Sequence, residues 1–139
     1  MYINTTETTV RYVETDQMGI VHHSNYYPWL EMGRTEFIKA IGMKYTDIEN
    51  MGIMMPLTES HCKYIKAAKY EDEIVIETYI EKLTPVKIVF SYRIIKKDNN
   101  ELLAKGGTTQ AFVDKENFKI INLKQSNENL WNRFMDLTK

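Results

Sequence analysis

Between Tyr12 and Leu30 the sequence concentrates groups able to act on a carbonyl. A carboxylate at Asp16, a turn glycine at Gly19, histidines at His22 and His23, and Asn25 lie just ahead of a run with helical spacing. A helix start presents unpaired N–H groups and the positive end of the backbone dipole. Such donors stabilise negative charge growing on a carbonyl oxygen. A carboxylate facing the same carbonyl can attack its carbon or activate water against it. If Asp16 and the helix start share a cavity, the segment describes an acyl-transfer or hydrolytic site. An Asp in a Thr-Asp-x-x-Gly loop also serves as an ordinary turn residue bonded to nearby backbone. The residues alone leave both roles open.

Other chemistries fit less well. His22 and His23 are adjacent, so their side chains diverge, and His61 is the only other histidine. A zinc site needs three or four converging ligands, so no metal is expected. His61 and Cys62 neighbour each other on a candidate strand and point to opposite faces, which argues against a Cys-His pair. Glu31 and Arg34 stand three apart on the helix and can pair. Glu14 reads as a solvated strand end. Gly106-Gly107, inside a candidate strand, marks a bulge or a close approach by another group. No phosphate-binding glycine motif occurs.

The elements that must position these residues follow from periodicity. Thr8 to Val13 reads as a strand ending near Glu14. Tyr26, Trp29, Leu30, Gly33, Phe37 and Ile41 recur at spacings of three and four, the stripe of a helix buried along one face. Pro28 belongs in the first turn, where its missing N–H would have no partner. Asn25 is the expected N-cap and Gly42 the stop. Met43 to Pro56 is looser and holds Met43, Met51, Met54 and Met55, which fill core gaps or line an apolar site. Strands follow at Leu57–Lys66, Ile74–Ile80, Val86–Ile95 and Leu102–Val113, the last two joined by the polar turn Asp98-Asn99-Asn100. A closing helix after Ser126 places Leu130, Trp131, Phe134 and Leu137 on one side. This is an α+β order, with a helix on a mainly antiparallel sheet. Several strands carry apolar residues on both faces, so either a subunit interface or the terminal helix should cover the outer one.

Composition narrows the rest. The 139 residues are 43% hydrophobic and 27% charged, the make-up of one folded domain. Eighteen basic residues balance nineteen acidic ones for a formal charge of -1, so no nucleic-acid partner is expected. One cysteine excludes an intrachain disulfide. No export signal opens the chain and no window is apolar enough for a membrane span, which leads to a cytoplasmic expectation.

The run Arg11-Tyr12-x-x-Thr15-Asp16-x-x-Gly19-x-Val21-x-His23-x-Asn25-Tyr26-x-x-Trp29-Leu30-Glu31-x-x-Arg34-x-x-Phe37 resembles the signature of hot-dog-fold acyl-CoA thioesterases. These are the 4-hydroxybenzoyl-CoA thioesterase-like family of the YbgC and FadM type. The later strands, the Thr84-Pro85 turn and Gly106-Gly107-Thr108 extend the likeness from Thr8 to Val113. The resemblance implies a curved antiparallel sheet wrapped around a long central helix, with residues 1–139 as a single hot-dog thioesterase domain. It implies a homo-oligomer, dimer or tetramer, with sites at the dimer interface. It implies hydrolysis of an acyl-CoA substrate without a cofactor, or of an acyl group on an acyl carrier protein. Asp16 matches the family's catalytic aspartate, as nucleophile or general base. His23 supplies the backbone N–H that polarises the thioester carbonyl. Lys63, Lys66, Lys69 and Thr84 are the implied contacts for coenzyme A, and the acyl group points toward Met51, Met54 and Met55. His22 stands where some relatives carry Tyr. The rival readings are a non-catalytic acyl-thioester-binding protein and, less well matched, a dehydratase of the same fold.

Overall fold

Period-two alternation builds the sheet. The computed structural model describes residues 1–139 in full. Five strands, β1 (Asn4–Thr9), β3 (Leu57–Tyr64), β4 (Glu73–Thr84), β5 (Lys87–Lys96) and β6 (Glu101–Ala111), form one antiparallel sheet in the order β1-β4-β5-β6-β3. β2 (Ile53–Met54) and β7 (Val113–Asp114) make a separate two-stranded ribbon. Ile74, Ile76, Thr78 and Ile80 of β4 and Ile88, Phe90, Tyr92 and Ile94 of β5 all point to one buried face. Register shifts at Ile80/Lys82 and Ile94/Ile95 add the local bend that bulges give.

That face is covered by α1 (Tyr26–Lys39). Its expected stripe is buried from Tyr26 to Ile41. Gly33 has a packing reason, because a Cβ there would run into the Thr78 hydroxyl and lie 2.8 Å from Ile76 Cγ2. The helix can sit this close to β4 only without a side chain at that position. Pro28 occupies the third helical residue, and Gly42, at φ +78, ends the turn after the helix.

Three expectations need correction. The first strand is Asn4–Thr9 rather than Thr8–Val13. Its partner begins at Glu73, opposite Thr9, so no ladder remains for later residues. Val10 turns into the core, and Tyr12–Glu14 form a 3-10 turn. Second, Met43–Pro56 contains a short helix, α2 (Tyr45–Asn50), closed at its start by Asp47 accepting the Lys44 N–H at 2.8 Å. Third, the terminal helix does not cover the outer sheet face. After the single turn α3 (Leu123–Ser126), α4 (Glu128–Thr138) is capped by Asn127 and buries Leu130, Trp131 and Phe134 in the same core cluster as α1. Arg133 ties it to the Ile41 carbonyl at 2.7 Å. Val75, Tyr79 and Val89 on the outer face stay half-exposed.

Candidate active site

Asp16 sits at the mouth of a small closed loop. Thr15 and Val21 bridge across it, the Asp16 N–H donates to Ile20 at 2.8 Å, and the Asp16 carbonyl accepts from Gly19 at 2.9 Å. Gly19 has φ +81, which a side chain would strain. One Asp16 carboxylate oxygen, Oδ1, accepts the Met18 N–H at 2.9 Å. The second oxygen has no partner in the protein. The turn role and the chemical role are therefore compatible, one on each oxygen.

The helix start is built differently from expectation. Asn25 does not cap α1 with its side chain. Its amide donates instead to the Glu14 carbonyl at 2.8 Å. A 3-10 turn, His23–Asn25, precedes the helix, and His22 caps that turn by accepting the Ser24 N–H on Nδ1 at 3.3 Å. The His22 carbonyl accepts from Asn25 at 2.9 Å, while the His23 N–H finds no acceptor in the protein.

Glu14 is the residue that sequence reading misjudged. It is 5% exposed, not solvated. Its Oε1 accepts the Arg11 N–H at 2.8 Å and its Oε2 accepts the Trp29 indole N–H at 3.0 Å. Its carbonyl accepts from both Asn25 and the His22 N–H. One buried residue thus joins the strand exit, the Asp16 loop and α1, and the two bonds to its carboxylate are charge-assisted, the strong kind. The signal was its place fifteen positions before a stripe tryptophan, which no local period reveals.

Asp16 and His23 face a common open cleft of about 320 Å³, walled by Met18, Ile20, Val21, Tyr26, Tyr64 and Ile65. Of the four residues expected at coenzyme A, Lys66 alone lines this cleft, and it also pairs with Glu101 at 3.2 Å. Lys63 alternates to the sheet face opposite Tyr64. Lys69 lies on the same connecting segment, bridged to Ile20 but outside the lining. Thr84 sits at the far end of the twelve-residue β4, where its hydroxyl accepts from Lys87 at 3.2 Å within the turn. Met51, Met54 and Met55 do not reach the cleft. Met55 is buried in the core and Met51 is exposed. Gly106 and Gly107 mark close approaches, not a bulge. A Cβ at Gly106 would lie 2.8 Å from Leu30, and one at Gly107 would strike the His61 ring. No helix is long and apolar enough to cross a membrane.

An antiparallel sheet laid against one long helix is the hot-dog architecture, and proteins similar to this chain in sequence and fold are thioester hydrolases. The sequence pattern of the thioesterase-like superfamily matches residues 10–127, and the chain belongs to that family. A Bacillus subtilis protein named "Putative acyl-CoA thioesterase YneP" is 40% identical over 126 residues, 91% of each chain. The Haemophilus influenzae acyl-CoA thioesterase YbgC is 28% identical over 106 residues, 76% of each. The solved DHNA-CoA thioesterase of Staphylococcus aureus superposes with a TM-score of 0.92 at 30% identity, covering 99% of this chain and 92% of that one.

Proposed function

We propose that this protein hydrolyses acyl-CoA thioesters to the free acid and coenzyme A, with Asp16 and the His23 N–H as its chemical pair. The observation that carries the reading is one cleft bounded by both a carboxylate with a free oxygen and an unpaired helix-start N–H. The N–H receives the carbonyl oxygen as negative charge develops there. The carboxylate attacks the acyl carbon, or takes a proton from the water that does. The C–S bond then breaks and the thiolate leaves, taking its proton from the water that Asp16 deprotonated or from solvent. Where Asp16 itself attacks, the acyl group stays on it as a mixed anhydride until water opens the anhydride and frees the acid. A thioester is an activated acyl donor, so a carboxylate can act on it once the oxyanion is held.

The whole chain, residues 1–139, is read as one thioesterase domain. Lys66 stands at the cleft to meet a phosphate of coenzyme A, while Lys63, Lys69 and Thr84 lie outside its lining. β3 has one edge paired with β6 and the other free, and nearly all its residues are exposed. Its Tyr64, together with Ile65, leaves apolar surface at the cleft, and Leu57 exposes more at the strand's other end. Pairing of two β3 edges in a homodimer would cover that surface and close the cleft's open side, removing an edge that unpaired strands rarely leave bare. Light scattering on the purified protein tests this and should give twice the chain mass or a multiple of it.

Thiol release measured over aliphatic and aromatic acyl-CoAs, and over the same acyl groups on a carrier protein, tests the activity. Turnover should be lost in Asp16→Asn with the fold unchanged. Wild-type release by that variant would end this reading, and preference for carrier-bound acyl groups would move the substrate to the carrier protein. Single-turnover hydrolysis in ¹⁸O-water tests the nucleophilic role of Asp16, because label enters its side chain only when water opens a mixed anhydride at the Asp16 carboxyl carbon.

A further inference from the structure

We propose that Tyr64 is a positioning residue that holds the His23 N–H in place by acting on the His23 carbonyl. The inference rests on the reading of the cleft given above. Tyr64 comes from β3, forty-one positions after His23, and its hydroxyl donates to the His23 carbonyl oxygen at 3.3 Å. The same carbonyl accepts the Tyr26 N–H that closes the 3-10 turn. On the other side of that peptide plane, the Ser24 N–H donates to the His22 ring at 3.3 Å. The peptide joining His23 to Ser24 is thus held at both ends. The preceding plane is fixed through its own carbonyl by Asn25, which leaves the His23 N–H as the turn's one unpaired backbone donor.

The ring of Tyr64 is seated as a hydroxyl aimed at one atom requires. It meets Tyr26 edge-on at 5.0 Å and His23 at 6.4 Å. Tyr26 is buried, and its hydroxyl accepts the Ala68 N–H at 3.4 Å, so it is held from the segment behind the cleft. Tyr64 is itself 44% exposed and forms part of the cleft wall. Two functions therefore reside in one side chain: the ring is wall, and the hydroxyl is a strut on the turn. A donor fixed before reaction needs no reorganisation as the oxyanion forms. Without the strut, the N–H must be ordered during the reaction, which raises the barrier to the chemical step and leaves substrate binding alone.

Tyr64→Phe separates the two functions because it keeps the ring. Its kcat should fall about five- to ten-fold, the size of one ordinary hydrogen bond, with KM unchanged. A second readout follows the carbonyl directly. An aromatic acyl-CoA bound to Asp16→Asn should show its thioester C=O stretch lowered by the His23 N–H, and adding Tyr64→Phe should return part of that shift. Unchanged kcat and an unchanged stretch in the Phe variants would overturn the proposal and leave Tyr64 as wall only. A rise in KM alone would do the same. Full turnover in Asp16→Asn would instead bring down the reading of the cleft, and this inference with it.

Discussion

Two polar networks flank α1, and they are finished to different degrees. At its start, Glu14 is buried and every bond it offers is taken, by Arg11, Trp29, Asn25 and His22. Further along the helix Arg34 is buried and forms no ion pair, not even with Glu31, which lines the same hollow one turn earlier. Its guanidinium reaches the Tyr92 hydroxyl at 3.2 Å, Tyr92 shares a proton with Thr108 at 2.6 Å, and Arg34 Nε has no partner. The Tyr45 hydroxyl and Gln110 Oε1 in the same region are also left without one. A saturated network fixes atoms in place, which is what an active site demands of its supports. An unsaturated one costs stability without positioning anything in the cleft, since a buried charge lacking its partner is expensive.

The contrast can be broken most directly at Glu14. Glu14→Ala leaves the Trp29 indole and the Arg11 N–H without acceptors inside the protein. It should lower stability by about 3 kcal/mol and also depress kcat, as followed by thermal unfolding and thiol release. Retained kcat at reduced stability would show that the Asp16 loop is held by other bonds.

The second network should register in alkaline stability instead. Burial raises the Tyr45 pKa, which the nearby Arg34 only partly offsets, from 10.0 to about 12. Tyr92 is pushed up for the same first reason. A raised folded-state pKa means that the neutral phenol is the form the fold favours. Its contribution is complete below pH 10 and is lost as pH climbs toward 12. Chemical denaturation across that window should show on the order of 2–3 kcal/mol lost for Tyr45, and Tyr45→Phe should flatten the curve. Equal slopes in both proteins would remove Tyr45 from the account.

The smallest effect is expected from Arg34→Met. It removes the uncompensated charge and keeps the apolar stem, while Tyr92 retains Thr108. Stability should change by less than about 1 kcal/mol, or rise, with activity preserved. A loss as large as that of Glu14→Ala would mean that the guanidinium is satisfied by groups beyond this chain, and that the two networks are more alike than their bonds indicate.

Much of this was legible in advance, and unevenly so. The α1 stripe, the Pro28 and Gly42 boundaries and the β4–β6 alternation all follow from one-dimensional patterns, whereas Gly106-Gly107 reads as either a bulge or a close approach and the packing decides for the latter. Glu14 was misread because strand propensity over Thr8–Val13 ignores where the partner strand stops. Asn25 reads as the cap of the helix it precedes, but its amide serves the Glu14 carbonyl eleven positions back. The family resemblance points Met51, Met54 and Met55 toward the acyl group, but the path of the Met43–Pro56 segment keeps them out of the cleft.

By itself, then, the sequence determined the family, the helix, the alternating strands and the loop that carries Asp16, because each is a spacing of three, four or two residues, or a motif on contiguous chain. The tertiary structure alone decided that Glu14 turns inward to Trp29, that Tyr64 arrives from β3 at the His23 carbonyl, and that Arg34 meets Tyr92 fifty-eight positions away. The physical reason is that a polar group chooses its partner by three-dimensional proximity once water is excluded. That choice is made by how the sheet folds over α1, not by any local period.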